Sequence, residues 1–410
     1  MGNIFSDRIS DVPRSFIRDI LKLTLDQSII SFAGGMPNRD LFPVKEINAA
    51  TNKLFAECGK DILQYSTSEG YRDLREWISA RYKARKNIDV PPDNILITSG
   101  SQQGLDLLGK TFVNEGDDVV MEEPGYLGAI QAFSVYKTRF HPVPVDEAGI
   151  DTARLEQALS GYRIKLFYSA PNFQNPSGIS YSGENRARVA RLMEKTDTML
   201  IEDDPYGELR FMGSDKPSFY RLLPHKTVML GSFSKIVAPS FRIGWLVAED
   251  EVMEKLAIAK QASDLHTNYF GQRVIFQYLK DNDIDAHIEK IRRAYGSQRD
   301  TMVSSIKEHF PGEIKYTRPE GGMFLWITLP EGLPAMEVFR RAIECKVAFV
   351  PGDPFYVNKK DVNTLRLNYS SVDEETIRTG IKRLGGVLKQ LLGQKIKKSE
   401  IPSICNFKKK

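Results

Sequence analysis

The sequence predicts an α/β protein: a large unit on a mostly parallel sheet, followed by a smaller α+β unit. Three observations predict it. From Thr51 to about Ala248, apolar strand-like runs alternate with amphipathic helical stretches, the pattern of a parallel sheet covered on both faces. After a long helical stretch ending near His309, the order changes to short strands with flanking helices. The length, 410 residues, accommodates two or three units at roughly 150 residues each.

Composition narrows the function classes. Hydrophobic residues make up 41% and charged residues 27%, an ordinary globular balance. The net charge of 57 − 53 = +4 argues against nucleic-acid binding through a dominant basic field. Cys58, Cys345 and Cys405 are far apart, which excludes a disulfide framework or a cysteine-based zinc site as the organising feature. No apolar run is long enough to cross a membrane. The opening MGNIFSDRISDVPRSF lacks the apolar core of a signal peptide. A cytoplasmic protein without nucleic-acid or membrane partners is expected.

Taken in order, KLFAECGKDI and YRDLREWISARYKARK read as helices, and NILITSG as a strand running into a glycine turn. QQGLDLLGKTFVN is a helix, DDVVMEEP a strand, GAIQAFSVYK a helix and RFHPVPV a strand. IKLFYSAP, TMLIEDDPY and KTVMLGSFSK are three further strands, each apolar in its body and polar at its C-terminal end. VMEKLAIAKQASD opens the long helical stretch, and EIKYTRPEGGMFLWITLP gives two strands around a Gly-Gly turn. The helix AMEVFRRAIEC, the strands VAFVPG and NTLRLNYS, and the helix DEETIRTGIKRLGGVLKQLL complete the small unit. The expected division is an N-terminal arm packed against the small unit (1–50), the large unit (51–295), the small unit (296–395) and a flexible basic tail (396–410).

In parallel sheets ligands collect beyond the carboxyl ends of the strands, so the strand ends hold the first candidates. Lys235, in GSFSK, is either a surface charge or a Schiff-base lysine, whose amine loses its proton readily when buried near cations. Ser232, Ser234 and Arg242 around it suit a phosphate. Ser232 to Lys235 also fits the S-x-x-K pattern of serine acyl-enzymes, but the S-D-N and K-T-G partners are missing. Asp203 and Asp204 end a strand. They can bind a metal, act as an acid/base pair, or present one carboxylate to a ring nitrogen, keeping a pyridine protonated as an electron sink. Asp204 can equally be a turn residue. The five histidines are dispersed, and no metal site is expected. Tyr206 suits a phenolate oxygen, and Asn172 and Asn175 lie in the turn-like PNFQNPSG. Gly100-Ser101-Gln102 opens a helix, where backbone N–H groups can cradle a phosphate. Tyr126 is either a stacking ring or a half-buried aromatic. Arg366, in LRLNY, either faces solvent or points inward to meet a carboxylate.

As a set these segments are specific. SFAGGMPNRDLFP, LQYSTSEGYRDLREW, TSGSQQGLDL, PNFQNPSG, EDDPYGEL, GSFSKIVAPSFRIGW and TLRLNYS resemble those of the fold-type I pyridoxal 5′-phosphate (PLP)-dependent aminotransferases of class I/II. The likeness runs from about Ser15 to Leu392 and is nearest to the 2-aminoadipate/kynurenine aminotransferase group. It implies an aspartate aminotransferase-like fold with a seven-stranded sheet in the PLP-binding unit. It also implies a homodimer with shared active sites that moves an amino group from an L-amino acid to a 2-oxo acid. By the same resemblance Lys235 is the catalytic lysine and Asp203 the partner of the pyridine nitrogen. Asn175 and Tyr206 hold the ring's 3′ oxygen, and Tyr126 stacks on the ring. Ser101, Gln102, Ser232 and Arg242 hold the phosphate, with Tyr65 reaching the neighbouring subunit's phosphate. Arg366 clamps the substrate α-carboxylate, Gly34 and Gly35 close over the substrate, and Arg18 meets an acidic side chain. A PLP-dependent lyase shares the scaffold and stays open as an alternative. So does an aminotransferase-like regulatory domain, although the thirty residues before SFAGG are too few for its DNA-binding module.

Overall fold

The computed structural model describes residues 4–10, 12, 20, 26 and 28–399. Strand β1 (Ile30–Ser31) belongs to the small unit. The large sheet takes β2 (Ile95–Thr98), β3 (Asp118–Glu123), β4 (Arg139–Asp146), β5 (Gly149–Ile150), β6 (Ile164–Ser169), β7 (Met199–Asp203), β8 (Thr227–Ser232) and β9 (Gly244–Val247). Their order is β2-β9-β8-β7-β6-β3-β4-β5. The run β8-β7-β6-β3-β4 is parallel. β9 runs antiparallel to both neighbours, so β2 and β8 point the same way. The mostly parallel sheet is as expected, with one strand more than seven, the two-residue hairpin partner β5. β9 was not legible as a strand: GWLV is short and follows a run of turns.

β2, β8 and nearly all of β7 are buried on both faces. Successive side chains therefore serve two different cores. Leu96, Ile201, Leu230 and Leu246 face the helices Ser101–Phe112 and Asp250–Asp264. Ile95, Ile97, Met229 and Val247 pack with Ile78 and Ile275 of the helices Arg72–Lys86 and Tyr269–Asp281. This two-sided burial explains why the strands read as continuous apolar runs.

The small unit carries β10 (Lys315–Tyr316), β11 (Phe324–Thr328), β12 (Val347–Ala348), β13 (Val350–Pro351) and β14 (Thr364–Asn368). Four of these form an antiparallel sheet, β10-β11-β14-β13, with Trp326 opposite Arg366. VAFVPG, expected as one strand, divides at Phe349: β12 pairs with β1, and β13 with β14. Ile30 and Ser31 are thus bonded to Val347 and Ala348 of the small unit. The last helix, Glu374–Ser399, continues beyond the expected start of the tail. Among the described residues no helix is long and apolar enough to cross a membrane.

Candidate active site

The carboxyl ends of β2, β3, β6, β7 and β8 open on one cavity of about 440 Å³. Its lining brings together Gly35, Ser101, Gln102, Tyr126, Asn175, Asp203, Tyr206, Ser232, Lys235, Arg242 and Arg366. These residues span more than 330 positions of the chain and come from both units.

One end is an anion cup. Gly100, at φ +77°, precedes the helix Ser101–Phe112 and supplies no side-chain cap. The first N–H groups of a helix have no partner within it, and the helix dipole favours negative charge there. A Cβ on Gly100 would lie 2.4 Å from Arg242 Nη2. A Cβ on Gly244 would lie 2.7 Å from Ser101 N, so the bare β9 backbone lets the helix start come close. Arg242 takes the left-handed conformation at φ 56°, and its guanidinium makes long bonds, 3.4 Å each, to the Pro239 and Ser99 carbonyls. Ser232 Oγ accepts from Ser234 N at 3.1 Å.

The other end is buried and aromatic. Asp203 Oδ2 accepts from the Tyr168 hydroxyl at 2.8 Å. Asp203 Oδ1 is buried with no hydrogen-bond partner among the described residues. Burial pushes this carboxyl up to about 7, with the Tyr168 hydrogen bond opposing. Asp204 points elsewhere, to Lys86 Nζ, to Asn172 Nδ2 at 2.9 Å and to Gly207 N at 2.9 Å. Burial raises Asp204 too, but the Lys86 ammonium outweighs it and holds the carboxyl below its usual range. The structure therefore separates the two aspartates: Asp204 is tied to its surroundings, and Asp203 has an oxygen to offer.

Lys235 Nζ donates to the Gly35 carbonyl at 3.0 Å and sits 5.9 Å from the centre of the Tyr206 ring. Burial, then the cations Arg366 and Arg242, lower its pKa to about 8. Arg366 donates to Asn175 Oδ1 and to the Ala33 carbonyl, both at 2.7 Å. Its guanidinium carbon lies 4.3 Å from the centre of the Phe324 ring and 5.3 Å from that of Phe355. Arg366 Nε is buried with no hydrogen-bond partner among the described residues. The Tyr126 and Tyr168 rings stack at 6.4 Å.

Comparison with known proteins decides the family. Residues 28–384 match the family model described as aminotransferase class I and II. The aromatic-amino-acid aminotransferase 1 of Thermococcus litoralis is 41% identical, covering 94% of each chain. The 2-aminoadipate transaminase of Thermus thermophilus is 42% identical over 93% of this chain and 95% of its own. The solved structure of Pyrococcus horikoshii kynurenine aminotransferase, in complex with PMP, KYN and KYA, superposes with a TM-score of 0.91. It is 41% identical and covers 95% of this chain and 98% of its own.

The chain belongs to the class I and II aminotransferases. It is a PLP-dependent enzyme, and the cavity fits that cofactor on its own evidence. An anion cup stands at one end, and a buried carboxylate oxygen lacking a donor at the other. A lysine of depressed basicity lies between them.

Of the residues expected at the aminotransferase site, Gly34 and Tyr65 do not line this cavity. Tyr65 is 80% exposed, with its ring edge-on to His266 at 5.7 Å. Arg18 lies outside the described residues. Three others were missed. Tyr168 holds Asp203, and its only signal is a tyrosine within an apolar strand. Phe324 and Phe355 flank Arg366 but look like ordinary core residues in the sequence.

Proposed function

We propose that this aminotransferase moves the amino group of an L-amino acid to a 2-oxo acid such as 2-oxoglutarate by a ping-pong route. The donors are 2-aminoadipate, glutamate, and aromatic or branched apolar amino acids. The observation that carries the reading is the convergence in one cavity of Lys235, the unpartnered Asp203 oxygen and the buried Arg366. The names of the most similar relatives support the donor class.

When bound, PLP supplies the electron sink and carries the amino group between half-reactions. Ser101, Gln102, Ser232 and Arg242 bind its phosphate, and Asp203 holds the proton on its ring nitrogen. Tyr126 orients the ring from one face, while Asn175 and Tyr206 hydrogen-bond the 3′ oxygen. Lys235 anchors the cofactor and then moves the substrate Cα proton, a task suited to an amine with a pKa of about 8. Arg366 takes the α-carboxylate, the anion that compensates its burial. Gly35 lies over the substrate, and Arg18 meets an acidic side chain. The exposed Tyr65 reaches the phosphate of a second copy, so the enzyme works as a homodimer in the cytoplasm.

The test is a half-reaction screen. Each amino acid is added to the PLP-loaded enzyme, and loss of the cofactor's visible absorbance is followed. 2-Aminoadipate, glutamate and aromatic donors should convert it, and 2-oxoglutarate should restore it. Release of ammonia with no acceptor present would identify a lyase instead. Run on Arg18→Ala, the screen should show KM for the acidic donors raised about 10–100-fold, the worth of one charge-assisted pair. Equal loss for apolar donors would make Arg18 structural.

A further inference from the structure

Glu122, at the end of β3, is buried yet does not line the cavity. A buried carboxylate is unfavourable unless hydrogen bonds replace its water, and this one is fully engaged. Oε1 accepts from Ala170 N at 2.9 Å, Ser169 Oγ at 3.1 Å and the Tyr181 hydroxyl at 2.5 Å. Oε2 accepts from Gln174 Nε2 at 2.6 Å. The same Gln174 amide donates to the Pro124 carbonyl at 3.0 Å, and its oxygen accepts from Ser177 Oγ. Gln174 immediately precedes Asn175, and Pro124-Gly125 leads directly into Tyr126. The carboxylate thus joins, through one amide, the loop that carries Asn175 and the turn that carries Tyr126. Asn175 in turn holds Arg366 at 2.7 Å.

We propose that Glu122 is a positioning residue: with Gln174 it fixes the spacing between Tyr126 and Asn175, and through Asn175 it sets the Arg366 clamp. The inference rests on the site reading above, in which Asn175 donates to the ring's 3′ oxygen. A donor there favours the deprotonated form of the bound cofactor. Displacing Asn175 should therefore raise the pH at which the cofactor's visible absorbance changes. Displacing Arg366 should raise KM for the amino acid.

Glu122→Gln keeps the size of the side chain but sets an amide against the Gln174 amide. If Gln174 turns to meet the new amide, its bond to the Pro124 carbonyl is lost, and if the new amide turns instead, the Ala170 N–H loses its acceptor. Gln174→Met removes the joint while leaving the carboxylate in place, and it decides the matter if Glu122→Gln does not fold. Asn175→Ala is the reference. The expected result is an upward move of the absorbance midpoint in all three, smaller in the first two than in Asn175→Ala. KM should rise about tenfold in the first two variants, as for loss of a hydrogen bond to a charged group. If Asn175→Ala moves the midpoint but the folded Glu122 and Gln174 variants keep both midpoint and KM, the positioning role is overturned. If Asn175→Ala itself leaves the midpoint unmoved, the site reading fails first.

Discussion

At the cup, the donors come from a helix start, from the exposed Gln102 and Arg242, and from the buried Ser232. At the ring end, Asp203, Asn175, Tyr206 and Arg366 are all buried. Gln102 and Arg242 at the cup are groups that water can also serve. At the ring end Asp203, Asn175 and Arg366 are each held by a side chain or carbonyl of another element. Losing one partner there strands a second group at the full desolvation penalty. The difference teaches where tolerance lies: graded losses at the cup, steep ones at the ring.

The steepest expected break is Asp203→Asn. On the proposed reading the stranded partner is the ring nitrogen, which would lose the carboxylate that keeps it protonated. Single-turnover Cα deprotonation should slow by several orders of magnitude while the fold survives. A loss of about tenfold, worth ~1.4 kcal/mol in the barrier, would place the electron sink's support elsewhere. Next comes Gly100→Ala. Its Cβ would lie 2.4 Å from Arg242 Nη2, on a backbone at φ +77°. Titration of the apo-protein should show cofactor affinity about tenfold weaker, a cost near 1–2 kcal/mol from backbone strain. Turnover at saturating cofactor should change far less, which sharpens the contrast between the two ends.

Lys235 gives a test through pH. Its folded pKa is lowered from 10.5 to about 8, so the neutral amine becomes the major form above that pH. The rate at which apo-protein captures PLP should rise with pH and level off near 8. A plateau only near 10.5 would show an amine as wet as any surface lysine. The mildest effect on chemistry is expected from Asp204→Asn. Lys86 then loses its partner, and stability should fall by about 1–3 kcal/mol in urea unfolding at neutral pH. Because the Asp204 carboxyl is held below its usual range, its contribution is present above the unfolded value near ~3.9. It disappears as pH falls through the lower folded value, so the wild-type advantage should shrink in acid.

The strand ends were legible because a parallel strand buried on both faces reads as an apolar run, and the polar residue closing it marks the open edge. That places Ser101, Asp203, Ser232 and Lys235 with no knowledge of packing. The choice between Asp203 and Asp204 needed more. Adjacent residues on a strand face opposite ways, and what fixes the outcome is Lys86, 118 positions earlier. The division of VAFVPG escaped for a similar reason, since one half pairs with β1, more than 300 residues away. Phe324 and Phe355 stayed hidden because an aromatic that flanks an arginine and one that fills a core look alike in sequence.

The pairing of β1 with β12 has a mechanical consequence. Phe32 N bonds to the Ala348 carbonyl, Asn368 N to the Phe32 carbonyl, and Ser370 Oγ to the Met36 carbonyl. Residues 30–36 are therefore fastened to the small unit at both ends of the segment. Arg366 grips the same stretch through the Ala33 carbonyl. Lys235, by contrast, is rooted in the large sheet and reaches across to Gly35. A swing of the small unit would move Arg366 and the Gly35 carbonyl together, and the bonds it strains include the one on Lys235 Nζ and the one from Arg366 to Asn175. Opening the cleft would then release the amine from its acceptor along with the Arg366 bond to Asn175.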